Sequence, residues 1–158
     1  MEIKVAKIED LGQILDLQKA CYLEEAELYD DFEIPPLTQT LHSIKTDFEK
    51  EKFLKIESDG KIIGSVRGFL EKETCKIGRL IVDENFRNKG LGRLLMKEIE
   101  SKFDSAERFE LFTGHKSGRN LSLYNKLGYS EFQKKRINEK LELIFLEKRN
   151  YKTANNNV

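Results

Sequence analysis

Cysteine is scarce in this chain: Cys21 and Cys75 stand far apart, without the close spacing of a metal site or a redox pair. The opening MEIKVAKIEDL also lacks the apolar core of a secretory signal, so a reducing cytoplasm is the expected compartment. Net charge is missing too. Lys+Arg 28 against Asp+Glu 28 sum to zero, which leaves no global field to draw the protein to nucleic acid or anionic lipid. No apolar run nears the roughly 18 residues of a membrane span. Proline occurs only as Pro35-Pro36, and no linker or internal repeat divides the chain. One domain over 1–150 is therefore expected, of a size that buries about 70% of its unfolded surface. The polar end, TANNNV, reads as part of a disordered tail over 151–158.

What the chain does contain is a strand, a polar turn and a helix between Ile77 and Asp104, IGRLIVDENFRNKGLGRLLMKEIESKFD. The apolar run ends at Val82. Leu91, Leu94, Leu95, Ile99 and Phe103 then recur at helical spacing, so one helix face packs on a sheet. A helix start leaves N–H groups without partners and carries the positive end of the dipole, so it holds anions. Gly90 and Gly92 let a diphosphate approach the backbone, and Asn88 tolerates a left-handed conformation. Arg87, Lys89 and Arg93 add charge there. Two commoner phosphate motifs fail: Leu95 stands where a dinucleotide fingerprint needs its third glycine, and no Gly-Lys-Ser/Thr follows a glycine at P-loop spacing.

Leu80-Ile81-Val82 followed by Arg87-Asn88-Lys89-Gly90-Leu91-Gly92 resembles the acetyl-CoA signature Arg/Gln-x-x-Gly-x-Gly/Ala of the GNAT superfamily of N-acetyltransferases. Further on, Asn120-Leu-Ser-Leu-Tyr124-Asn-Lys-Leu-Gly128-Tyr129 resembles that family's second signature, a helix ending in Leu-Tyr-x-Lys-x-Gly-Phe/Tyr. The pair in this order and spacing is a strong signal where either alone is weak.

The rest of the chain reads as elements that agree with that family. A strand over Glu2–Ile8, a helix to about Cys21, an irregular acidic stretch broken at Pro35-Pro36 and a helix from Thr38 to about Lys50 are expected. A meander follows, with a tight turn at Ser58-Asp59-Gly60-Lys61, then the strand at 75–82 and the opening helix. A strand near 108–113, a helix from Ser117 to Gly128 and two closing strands complete the order. The expected class is α/β (α+β): a mixed, mostly antiparallel sheet of about seven strands with four helices. The resemblance implies a V-shaped splay between the strands at 75–82 and 108–113.

Function follows from the resemblance as an expectation: transfer of an acetyl group from acetyl-CoA to a primary amine, by direct attack, with no metal. Tyr124 matches the family's general acid, a phenol with pKa of about 10 that can protonate a departing thiolate. His115 is a candidate base, beside Glu71, Glu73 and Glu110. Leu80, Ile81, Val82, Arg87, Asn88, Lys89, Gly90, Leu91, Gly92 and Arg93 match the cofactor-binding positions. An asparagine usually lies seven residues before the tyrosine. Ser117 occupies that place here and Asn120 lies four before it, so both are candidates for the pantetheine contact. Glu24, Glu25 and Tyr29 lie in the segment where the family builds its acceptor site, and carboxylates there would attract a cationic amine or a peptide amine. A homodimer is left open, with no nucleic-acid or membrane partner. The competing classes are a non-catalytic CoA sensor and a phosphate or nucleic-acid binder, the latter disfavoured by the zero net charge.

Overall fold

A computed structural model describes residues 1–152. Its strands are β1 (Ile3–Val5), β2 (Lys52–Ser58), β3 (Lys61–Glu71), β4 (Thr74–Val82), β5 (Arg108–Gly114), β6 (Ser130–Arg136) and β7 (Glu142–Arg149). Its helices are α1 (Leu11–Tyr29), α2 (Pro35–Thr38), α3 (Leu41–Lys50), α4 (Leu91–Lys102) and α5 (Gly118–Lys126). One seven-stranded sheet has the order β1-β2-β3-β4-β5-β7-β6, antiparallel throughout except between β4 and β5. Among the described residues no helix is long and apolar enough to cross a membrane. The tail expected at 151–158 lies, from 153 on, outside the described residues.

Alternation along β2 and β3 sorts the core into two layers. Leu54, Ile56, Ile63 and Val66 pack with Leu91, Leu95, Met96 and Ile99 of α4. Phe53 and Ile62 pack on the other face with Leu11, Ile14 and Leu15 of α1 and Ile44 of α3. Covered on both faces, these strands read as continuous apolar runs rather than alternating ones. The tight turn is as expected: Asp59 and Gly60 both have positive φ, 51° and 78°, as a two-residue hairpin requires.

Two differences matter for the site. Helix α1 does not end near Cys21 but runs to Tyr29, where Asp30 turns left-handed (φ 47°, ψ 48°). Ala26 and Tyr29 are buried and Tyr22 is half-buried, so a helical stripe at 22, 26 and 29 continues beneath the acidic residues that conceal it. The prolines do not simply break the chain. They occupy the first helical positions of α2, where a missing N–H costs nothing, and so add a fifth, short helix.

The fork in the sheet is present. Strands β4 and β5 pair only at Thr74, Cys75 and Lys76 against Arg108, Phe109 and Glu110. Beyond that point β4 stays with β3 up to Val82↔Gly64, and β5 stays with β7 up to Gly114↔Leu143. Arg67 pairs with Gly78 and Ser65 with Ile81, so Arg79 and Leu80 together oppose Val66. This bulge bends β4 away from β5 just where the fork opens.

Candidate active site

The cleft that opens in the fork has a volume of about 540 Å³. Helix α1 contributes Cys21, Tyr22, Glu24, Glu25 and Leu28 to its wall, and β4 contributes Leu80, Ile81 and Val82. The turn adds Phe86, Arg87, Asn88, Gly90, Leu91, Gly92 and Arg93. The start of α5 adds Lys116, Ser117, Arg119 and Asn120, with Lys126 further along. Of the residues expected to bind a cofactor, only Lys89 is turned aside, its ammonium 5.3 Å from the Phe86 ring centre.

The turn has the conformation its residues allow. Asn88 is left-handed (φ 63°), and Gly90 is the N-cap of α4 at φ 78°, ψ 12°. Gly90 has no side chain to cap the helix, so the first N–H groups of α4 are left for whatever lies in the cleft. Arg87 stands beside this helix start. In the structure its guanidinium donates to both oxygens of Glu24, at 2.8 and 3.0 Å, and Arg119 donates to Glu24 at 3.1 Å. The Arg87 hydrogen bond holds the Glu24 carboxyl below its usual range. Glu24, expected at the acceptor side, thus sits among the cations of the turn. Asp30 is engaged by Lys140 at 3.2 Å. Two of the carboxylates expected to steer a cationic amine, Glu24 and Asp30, are thus paired with cations of the chain itself.

A directed chain of hydrogen bonds ties α1 to α5. The N–H of Lys116 donates to the Tyr29 hydroxyl at 2.9 Å, Tyr29 lies 3.1 Å from Ser117 Oγ, and Ser117 Oγ donates to Glu25 Oε2 at 2.5 Å. Because Tyr29 oxygen accepts from Lys116 and Ser117 gives its proton to Glu25, Tyr29 is the donor to Ser117. Ser117 occupies the N-cap position of α5, as expected, but its hydroxyl is spent on this chain and does not cap the helix. Glu25 and Ser117 line the cleft, whereas Tyr29 is 3% exposed behind them. Asn120 lines the cleft as well, its amide donating to Thr113 at 3.3 Å.

Tyr124 lies one layer behind the cleft wall, within the core and 6.1 Å from the Tyr129 ring. Burial pushes its phenol far above the usual range, and the neighbouring Tyr22 and Glu25 add to this. The structure does not bring the expected bases to the cleft. His115 Nδ1 accepts from the Glu142 N–H at 3.0 Å, clipping the end of β5 to β7, and its ring lies tilted against Tyr29, the centres 5.5 Å apart. Glu110 is held by Lys76 and Arg108 at 2.6 and 2.9 Å, where β4 and β5 are still paired. Glu71 lies near Lys76, and Glu73 beside Glu107, at that same closed end. Two carboxylates do line the cleft, Glu24 and Glu25, and with Glu24 held by Arg87 and Arg119 the one without a cationic partner is Glu25. A helix ending near Cys21 leaves Tyr22 and Leu28 outside it and gives no reason to place Cys21, Tyr22 or Leu28 at a site; the stripe at 22, 26 and 29 discloses Tyr22, and the adjacent stripe at 21, 25 and 28 the other two.

A family model described as Acetyltransferase (GNAT) family matches residues 11–129, most of the chain. The chain belongs to that family. It is 28% identical over 119 residues to the UPF0157 protein YqkA of Bacillus subtilis (strain 168), a match covering 75% of this chain and 34% of that protein. It thus spans about a third of that relative's length. Among solved structures, smu.2055 from Streptococcus mutans UA159 superimposes with a TM-score of 0.81 at 18% identity, covering 94% of this chain and 99% of that one. The yncA protein of Salmonella typhimurium, solved with its cofactor acetyl-CoA, gives 0.74 at 16% identity over 95% and 94% of the two chains. These structural likenesses establish the GNAT fold, with the forked sheet in its expected place.

Proposed function

We propose that this cleft binds acetyl-CoA and that the chain moves the acetyl group to a primary amine held in the same ternary complex. The observation that carries the reading is the make-up of the fork: an uncapped helix start beside Arg87 and Arg93, the Glu25 carboxylate and the Tyr22 phenol on the same cleft wall, and the buried Tyr124 behind it. The residues fit such a substrate. Gly90 leaves the helix start open, a Cβ at Gly92 would already stand 3.4 Å from Leu123, and among the described residues β4 has no strand partner on its β5 side beyond Lys76. Arg87, Arg93 and the first N–H groups of α4 take the diphosphate. Backbone groups of Leu80 and Val82 pair with the pantetheine arm, Asn120 offers its amide, and an N–H at the bulge faces the thioester carbonyl.

The chemistry then needs a base and an acid. As the C–N bond forms, Glu25 accepts the proton of the attacking amine. As the C–S bond breaks, Tyr124 gives its proton to the leaving sulfur. Its raised pKa keeps that phenol protonated at neutral pH, so it is always in the form that can donate. A CoA sensor needs the cation-lined turn but neither Glu25 nor Tyr124.

Release of free thiol against an amine panel, with thermal shift by acetyl-CoA alongside, separates the two. Glu25→Gln and Tyr124→Phe are each expected to lower turnover by about a hundredfold or more while stabilisation by acetyl-CoA persists. Thiol release unchanged in Tyr124→Phe but lost in Tyr22→Phe moves the acid role to Tyr22, which lines the cleft. Stabilisation without thiol release from any amine selects the sensor.

A further inference from the structure

Arg79 sits in the β4 bulge with φ 50°, a left-handed conformation that a long side chain adopts at a cost. Among the described residues its side chain makes no ion pair and no hydrogen bond. Arg79 does not itself line the cleft: its guanidinium carbon lies 6.0 Å from the ring centre of Tyr22, a residue of the cleft wall, and the next two residues of the chain, Leu80 and Ile81, do line it. Behind it Arg67, 3% exposed, is fully engaged: it donates to Asp47 at 2.9 Å, Gln18 at 2.8 Å and Gln39 at 3.0 Å. Arg79 adds like charge to this neighbourhood, and Glu51, the carboxylate that senses both guanidiniums, is no closer to Arg67 than 3.9 Å. A half-buried cation is thus held at the fork with a strained backbone, a cationic neighbour and no ion-pair partner of its own.

A guanidinium so placed suits an oxyanion of a ligand, which its planar fork binds with two parallel hydrogen bonds. Of the two carboxylates that line the cleft, Glu24 is taken by Arg87 and Arg119, which leaves Glu25 as the one facing an acceptor, too little negative charge to hold a polycation. We propose that Arg79 is a specificity residue that reads a carboxylate on the acceptor, so that the acceptor is an amino acid or a similar amine with a free carboxylate beside it, not a polyamine. This rests on the acetyl-transfer reading of the same cleft.

The test uses the full chain with saturating acetyl-CoA and a set of free amino acids, each matched with its amide and its decarboxylated amine. Thiol release is followed for the wild type, Arg79→Met and Arg79→Lys. Binding of an N-acetyl amino acid and its N-acetyl amide to the CoA complex is measured by calorimetry. The wild type should prefer carboxylate acceptors by about tenfold or more in kcat/KM, through KM. Arg79→Met should erase the preference without changing the KM for acetyl-CoA, and Arg79→Lys should retain part of it. Equal use of acids and amides, or a preference that survives Arg79→Met, overturns the proposal while leaving acetyl transfer intact. If no amine releases thiol, the transferase reading falls. Calorimetry then decides for Arg79: tighter binding of the N-acetyl acid, lost in Arg79→Met, upholds it, and equal binding overturns it.

Discussion

At the scale of single residues, the site depends on a contact that leaves no room for one methyl group. A Cβ on Gly114 would lie 2.0 Å from the Tyr29 hydroxyl oxygen, and that hydroxyl orients Ser117 against Glu25. Gly114→Ala should therefore expel Tyr29 from its seat, at a stability cost of about 1–3 kcal/mol by thermal denaturation. It should also lower kcat, because Glu25 loses the donor chain that holds it. Tyr29→Phe removes the hydroxyl without the clash. If the chain acts through Glu25, the two variants should cost turnover alike and the double variant no more than either; additive losses would show that Tyr29 acts by packing alone. None of this was readable from composition, since Gly114 looks like any strand-end glycine.

At the scale of elements, α1 reaches across to the turn before α4 and the start of α5 through Glu24. Its carboxylate occupies two guanidiniums of the cleft wall, Arg119 and the diphosphate-binding Arg87. A phosphate ligand must displace it, so Glu24 competes with cofactor for the same hydrogen bonds. Glu24→Gln should weaken that competition and lower the KM for acetyl-CoA by about three- to tenfold, most clearly at low ionic strength. An unchanged or higher KM would mean that Glu24 preorganises the arginines. The strand, turn and helix at 77–104 were legible because every requirement is local: an apolar run, residues tolerating positive φ at 88 and 90, and a helical stripe. The length of α1 was obscured by five carboxylates between 24 and 31 that mask a stripe at 22, 26 and 29.

At the scale of the whole molecule, the first strand and α1 are tied to the sheet by a largely buried pair. Lys55 Nζ lies 2.7 Å from Asp10 and 2.5 Å from Glu57, and Asp10 also accepts from the Lys7 N–H at 2.7 Å. Burial alone would raise the Asp10 pKa, but the hydrogen bonds from Lys55 and Lys7 outweigh it and leave the group below its ordinary value. A carboxyl depressed on folding contributes stability above its unfolded pKa of about 3.9, and that contribution is lost as pH falls through the folded value. Asp10→Asn should therefore destabilise the protein by about 2–3 kcal/mol near neutrality, and the gap to wild type should narrow in acid, as measured by urea denaturation across pH. A constant gap would assign the effect to packing.

The sequence by itself determined the order of strands and helices along the chain, the turn that opens α4 and the helix that carries Tyr124, because each is specified by neighbours within a few residues or by a fixed period. The tertiary structure alone decided which charged groups remain available. Glu24 meets Arg87, Glu25 meets Ser117, His115 is taken by Glu142, and Arg79 meets the Tyr22 ring, through contacts between segments far apart in the chain. Side-chain periodicity tells which face a residue lies on. Which residue stands opposite it, and hence its hydrogen bonds and charge, follows only from how the elements pack.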